Sequence, residues 1–275
     1  MSAGLSGDRI AFLAQAACLL EASAPKPGNV GPGRDFADMR YEDFLLSAAS
    51  IGPAFARAGE RGVGRTVLAA IEATRSRVAV NTNLGLVLLL APLACAAALE
   101  GGALDERVRR VLGALSVDDA EAAYEAIRLA RPGGLGHAPA EDVANVPTRT
   151  LRAAMALARD RDAIANEYAS DYDRTFRLTA PALRRARSAG ASWPQAILDA
   201  FLRVLGEVPD TLIARKHGAA TAAEVSARAR AVLGAPAQPE GLAAFDSELR
   251  SAGLNPGTTA DLVAGGLFVA LADEL

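Results

Sequence analysis

Residues 78–99 read VAVNTNLGLVLLLAPLACAAAL, a stretch without a single charged side chain. Asn81, Thr82, Asn83 and Gly85 form its head, and Pro92 interrupts its middle. The apolar part that remains falls short of the ~20 residues that a membrane-spanning helix needs. Such a run is a helix buried on all sides within a globular protein. It predicts a central helix in an all-α fold.

Outward from that helix, the flanking sequence has the same character. Ala, Leu, Arg and Glu dominate, all good helix formers, and β-branched runs of period two are missing. Ser116-Val117-Asp118-Asp119 has the spacing of a capping box that opens a helix reaching Arg131. Ser192-Trp193-Pro194-Gln195 opens another, with proline in the first turn and Ile197, Phe201, Val204 and Leu205 on one stripe. Near the N-terminus, Ala11 to Leu20 followed by Ala22-Ser23-Ala24 mimics a signal peptide. However, Asp8 offsets Arg9, Gln15 interrupts the run, and Ile10, Leu13, Ala17 and Leu20 share one helical face. A cytoplasmic protein is expected. Ordinary helix and loop lengths give about ten to twelve helices in one compact domain over residues 1–275.

Composition narrows the function. With 51% hydrophobic and 22% charged residues, the 275-residue chain has enough apolar surface to exclude disorder over most of its length. A net charge of −3 and 5% aromatics give no electrostatic or stacking case for nucleic acid, nor for an anionic membrane. Cys18 and Cys95 both lie in apolar stretches and read as buried, reduced thiols. Homodimerisation fits so apolar a helical chain. No Walker A loop, Gly-x-Gly-x-x-Gly turn, His-Glu-x-x-His or paired Cys-x-x-Cys occurs.

Chemistry-bearing residues collect in punctuated segments. The only two lysines, Lys26 and Lys216, both fall there. Pro25-Lys26-Pro27-Gly28-Asn29 is a stiffened loop that leads to Arg34. Lys26 and Arg34 suit an anion such as phosphate. Asp35 and Asp38 could hold Mg²⁺, which takes one or two carboxylates beside substrate phosphates; Asp38 could equally cap the next helix. Asn81, Thr82 and Asn83 enter a buried helix and need partners, while Gly85 admits close approach. Gly257 and Thr258 begin a glycine-led helix whose N-terminus suits phosphate. Asp261 there reads as cap, metal ligand or general base. Arg215 and Lys216 form an anion-binding candidate or complement a helix dipole. His137 in its glycine-rich loop reads as solvated.

Taken in order, these segments resemble the triphosphoribosyl-dephospho-CoA synthase family, the ATP:dephospho-CoA triphosphoribosyltransferases. Glu21 to Gly28, Asp38-Met39 with Phe44 and Ser47, Asn81-Thr82 with Gly85, Asp210-Thr211, and Pro256-Gly257 with Ala260, Asp261 and Leu262 carry the resemblance over almost the whole chain. Single motifs are weak; the ordered set is fairly specific. The resemblance implies an all-helical enzyme with Mg²⁺-nucleotide chemistry. In the family reaction the 2′-hydroxyl of dephospho-CoA attacks the ribose C1 of ATP, adenine leaves, and the triphosphate stays on the transferred ribose. Asp38 and Asp261 are then the expected catalytic residues, and Mg²⁺ is expected at Asp35, Asp38 and Asp261. Lys26, Arg34, Arg215 and Lys216 would bind phosphates. Asn81, Thr82 and Asn83 would orient a substrate, with Gly28, Asn29, Gly85, Gly257 and Thr258 completing the nucleotide site.

The chain also departs from the family pattern. Asn83 and Leu84 stand where the family commonly shows His-Lys, and no histidine precedes Asp38-Met39. In this it resembles the divergent branch met in methanogens and methylotrophs. Two alternatives follow: a related nucleotide-dependent transferase in C1-carrier coenzyme synthesis (methanopterin or methanofuran), or a helical nucleotide-binding protein without catalysis.

Overall fold

A computed structural model describes residues 3–234 and 239–274; the rest of the 1–275 domain expected from sequence lies outside the described residues. The uncharged stretch is a helix, Leu84–Ala98 (α6), with every residue except Gly85 and Ala98 buried. Gly257–Asp273 (α16) lies against it and is buried from Thr258 to Ala270 with the exception of Asp261. Gly7–Ser23 (α1) packs on both. These three helices form the centre of the protein.

The remaining helices cover the central three. Tyr41–Ser50 (α2), Gly52–Phe55 (α3), Ala58–Arg61 (α4), Val63–Arg75 (α5), Leu104–Gly113 (α7) and Val117–Ala130 (α8) build up around α1 and α6. Leu151–Ala156 (α9) and Ala163–Ala169 (α10) link α8 to the central pair. A π-helical turn, Thr175–Thr179, runs into Ala180–Ser188 (α11). Trp193–Glu207 (α12) and Thr211–His217 (α13) pack on α16. Ala219–Gly234 (α14) and Pro239–Ser251 (α15) close that side. One apolar cluster runs from Ile10 to Ala270, and no strand forms among the described residues. Nor, among those residues, is any helix long and apolar enough to cross a membrane.

The all-α expectation holds, and so do particular helix signals. Ser116 and Ser192 both form their capping boxes, and the α8 helix ends at Ala130 with Arg131 left-handed beyond it. Cys18 and Cys95 are buried free thiols. The helix count does not hold: sixteen α-helical segments are described, not ten to twelve. The surplus comes from pieces of four to seven residues such as α3, α4, α9, α10 and α13, too short for a periodic signal. Pro209 to Gly218, which carries the punctuation of a loop in sequence, is mostly helical, with Asp210 capping α13.

Pro92 explains an otherwise costly feature of the core. Proline has no N–H and crowds the carbonyl four residues back, here that of Leu88. The buried Tyr168 hydroxyl donates to the Leu88 carbonyl at 2.7 Å, and Tyr172 donates to that of Leu89 at 2.9 Å. The helix break is satisfied by side chains from the segment just before the π-turn.

Candidate functional site

The N-terminal ends of α6 and α16 meet, and one side chain marks the junction. Gly85 sits in the first turn of α6, and a Cβ there would lie 2.0 Å from Asp261 Oδ2. Only glycine lets the Asp261 carboxylate rest on the backbone of α6. The junction opens into a cavity of about 1170 Å³, lined by Asp38, Asn81, Gly85, Arg215, Lys216, Thr258 and Asp261 among others. That exceeds the ~300–1,000 Å³ of most small-molecule pockets and offers room for two ligands together.

Burial pushes the Asp261 carboxyl well above the ordinary carboxylate range. Glu21, Asp210 and Asp162 add to the effect, and Arg215 opposes it. A carboxylate with raised proton affinity on a cavity wall is suited to proton transfer. Asp210 itself is buried; Oδ1 accepts from the N–H groups of Leu212 and Ile213. Its Oδ2 accepts from both the N–H and the hydroxyl of Thr259, at 2.7 and 2.8 Å. Burial raises its pKa while those bonds lower it. Asp210 thereby ties α13 to α16 and sets the position of Asp261 two residues beyond Thr259.

The other residues singled out by sequence divide into cavity wall and scaffold. Asn81 faces the cavity while its Oδ1 accepts from Leu84 N at 3.2 Å. Thr82 instead bonds Ser47 of α2 at 2.6 Å, and Asn83 donates to Thr74 of α5 at 2.9 Å. Asp38 lies on the wall and caps no helix; Arg40 N, at the start of α2, donates to Asp43 instead. Asp35 accepts from Tyr41 N at 2.9 Å and lies off the wall. Thr258 receives a hydroxyl bond from Thr211, so the Thr258–Asp261 capping box does not form. Gly257 opens α16 away from the wall, against Leu212.

The proline-stiffened loop is likewise scaffold. Lys26 is 2% exposed, paired with Glu21 at 3.0 Å and donating to the Ala24 carbonyl at 3.0 Å. It does not line the cavity. Gly28 has a φ of 74° and donates to Asp246 of α15. Asn29 donates to Asn255 Oδ1 at 2.7 Å, and Arg34 pairs with Asp246 at 3.0 Å. The loop thus buttresses Asn255, which does reach the cavity.

Several wall residues escaped the sequence. Asp162 caps α10 and lies 3.6 Å from Arg215. Arg75, Arg131, Arg161 and Arg174 also line the cavity. The loop after α8 supplies a further wall, where His137 Nδ1 bonds the buried Asp142 at 2.9 Å. Tyr124 donates to the Glu141 carbonyl there, its pKa pushed up to about 12 by burial and by Glu141 and Asp142. Arg159-Asp160-Arg161-Asp162 looks in sequence like a solvated charge run, and no spacing relates it to α6. Among the described residues no three His, Cys, Asp or Glu side chains form a ready metal cluster. Mg²⁺ chemistry would need substrate phosphates beside Asp38 or Asp261.

Comparison with known proteins gives a consistent result. A family model described as ATP:dephospho-CoA triphosphoribosyl transferase matches residues 7–275. The 2-(5''-triphosphoribosyl)-3'-dephosphocoenzyme-A synthase of Klebsiella pneumoniae is 29% identical over 286 residues, covering 95% of this chain and 94% of the relative. A protein of Stutzerimonas stutzeri named for the same synthase is 30% identical, with 96% and 91% covered. A crystal structure from Archaeoglobus fulgidus, named for a triphosphoribosyl-dephospho-CoA synthase, superposes with a TM-score of 0.67 at 26% identity. It spans 83% of this chain and 98% of its own.

Proposed function

The chain belongs to the ATP:dephospho-CoA triphosphoribosyl transferase family, and we propose that its cavity is where the triphosphoribosyl group of ATP passes to the 2′-hydroxyl of dephospho-CoA. The observation that carries this is the seating of Asp261 on Gly85, on the wall of a cavity large enough for donor and acceptor together.

The reaction makes a bond from the acceptor hydroxyl oxygen to ribose C1′ and breaks the C1′–N9 bond, whose electron pair leaves with adenine. Asp261 takes the hydroxyl proton, a role its raised proton affinity favours. Water relays a proton to the departing adenine, and the proton that Asp261 took up neutralises the hydroxide this leaves, which restores the carboxylate. Arg215 and Lys216 at the end of α13, with Arg131 and Arg161, hold phosphate oxygens and offset their charge. Asn81 orients the sugar or base. Asp38, exposed on the wall, would hold Mg²⁺ jointly with the substrate phosphates, and Asp261 would be the second carboxylate available to it. Bound Mg²⁺ supplies charge neutralisation along the triphosphate. The other residues named from sequence act from behind the wall: Lys26, Gly28, Asn29, Arg34 and Asp35 shape the loop, and Thr82, Asn83 and Gly257 fix the helix ends.

The continuous core supports one domain over the described residues. Exposed Phe12 and Leu19 of α1 and Leu46 of α2 support a homodimer. ATP as donor fits a cytoplasmic enzyme. The test is mass spectrometry of purified protein incubated with ATP, Mg²⁺ and dephospho-CoA. Adenine and a triphosphoribosylated acceptor are expected, and both vanish in Asp38→Asn and Asp261→Asn. Adenine release in both variants at the native rate would overturn the residue roles. No product from the native chain would overturn the acceptor.

A further inference from the structure

Four residues after Glu167, the backbone does something unusual. Asp171 and Tyr172 are consecutive non-glycine residues with left-handed φ of 57° and 63°. Such a backbone is uncommon for any L-residue and rare for a bulky tyrosine. Directly afterwards comes the π-helical turn, an insertion often found at functional sites. The surroundings hold this shape firmly. Tyr172 is anchored on Leu89, and the fully buried Glu167 carboxylate accepts from Arg174 N at 3.2 Å and Thr175 N at 2.9 Å.

That carboxylate caps the start of a helix, and a local Asp or Ser could do so with far less desolvation. Two acids stand in place for it, but both are otherwise engaged. Asp171 pairs with Arg152 at 2.5 Å, and Asp173 pairs with Arg177 at 2.7 Å. Arg174 lies between them, half-buried and on the cavity wall, with no ion pair or hydrogen bond to its guanidinium among the described residues. Each neighbouring arginine is paired directly with an acid, whereas Arg174 feels only the longer-range attraction of the buried Glu167 and keeps its guanidinium unbonded at the cavity wall.

We propose that Arg174 binds the oligophosphate chain of a substrate, and that Glu167 is the positioning residue that fixes where its guanidinium stands. The arrangement rests on the phosphate-handling function proposed above, and it deepens that function by naming a residue no motif marks. Capping from behind, by a buried side chain, leaves the cavity face of the turn free for the arginine. The left-handed pair turns the chain at that point so that Arg174 rather than Asp173 meets the wall.

The test uses calorimetric binding of inorganic tripolyphosphate and pyrophosphate to the full chain, beside KM for ATP and for dephospho-CoA. Arg174→Met should weaken binding of one of the two anions at least tenfold, with partial recovery in Arg174→Lys. A rise in KM for ATP alone marks the triphosphate as the partner; a rise for dephospho-CoA alone marks the pyrophosphate. Glu167→Gln should weaken the same anion, and should add little to Arg174→Met in the double variant, as coupled residues do. Additive losses would overturn the positioning role. Unchanged affinities for both anions in Arg174→Met, which removes no internal bond, would overturn the proposal. Should the native chain bind polyphosphate through Arg174 yet release no adenine, Arg174 keeps its role and the proposed reaction fails.

Discussion

Gly85 and Asp261 touch across the ends of two buried helices, and there is no room for a methyl group between them. The clash would be with a carboxylate carried by the first turns of α16, which Thr259 ties to Asp210. Gly85→Ala is expected to displace the Asp261 carboxylate and lower adenine release by more than tenfold. The cost to folding should stay near the ~1–3 kcal/mol of an overpacked core site. Denaturation and turnover measured on the same preparation check this; normal turnover would mean that the carboxylate can move freely.

Asp261 binds its proton more tightly in the folded chain than in the unfolded one. The folded state therefore carries more protons above the ordinary aspartate value, and stability must fall as pH rises from about 4 toward the raised native value. Asp261→Asn removes this penalty. The variant should melt higher than the native chain at neutral pH, with the difference vanishing at or below about pH 4, while turnover is lost. Thermal melts across that range test the sign. A variant less stable at pH 7 would show that the carboxylate is stabilised by partners rather than burdened by burial.

Lys26 shows how a chemically suggestive residue can be structural. Its ammonium is enclosed with Glu21 and two backbone carbonyls. Lys26→Met should therefore cost about 3–5 kcal/mol by stranding the Glu21 charge. Adding Glu21→Gln should recover part of that loss. A phosphate ligand would behave differently, leaving stability intact and raising KM for ATP. Urea denaturation of the two variants separates these outcomes.

The fold was legible where chemistry is local and repeated. The uncharged stretch after Val78 could only be a buried helix, and Ser116 and Ser192 announced helix starts that the backbone follows. Asp38, Asn81 and Asp261 were recognisable as unusual residues at helix ends, and all three reach one cavity. What sequence could not show was direction. Asn81, Thr82 and Asn83 are adjacent, yet they serve different elements because they lie in the irregular turn before α6, where side chains follow no periodic face. Nor could it show Arg174, whose place on the wall depends on a left-handed pair and a π-turn set by Glu167 from the preceding helix. Such an arrangement has no period and no motif.

Tyr168 and Pro92 supply a test of the central helix itself. The Tyr168 hydroxyl serves the Leu88 carbonyl, which Pro92 deprives of its helical donor. Tyr168→Phe should strand that buried carbonyl and cost about 1–3 kcal/mol. In a Pro92→Ala background a backbone N–H becomes available to Leu88, so the same loss of the hydroxyl should cost less than half as much. The double-mutant cycle, read by urea denaturation, should then give a coupling of about 0.5–3 kcal/mol, as for residues that share one partner. Strict additivity would mean that the Tyr168 hydroxyl contributes independently of the donor missing at Pro92.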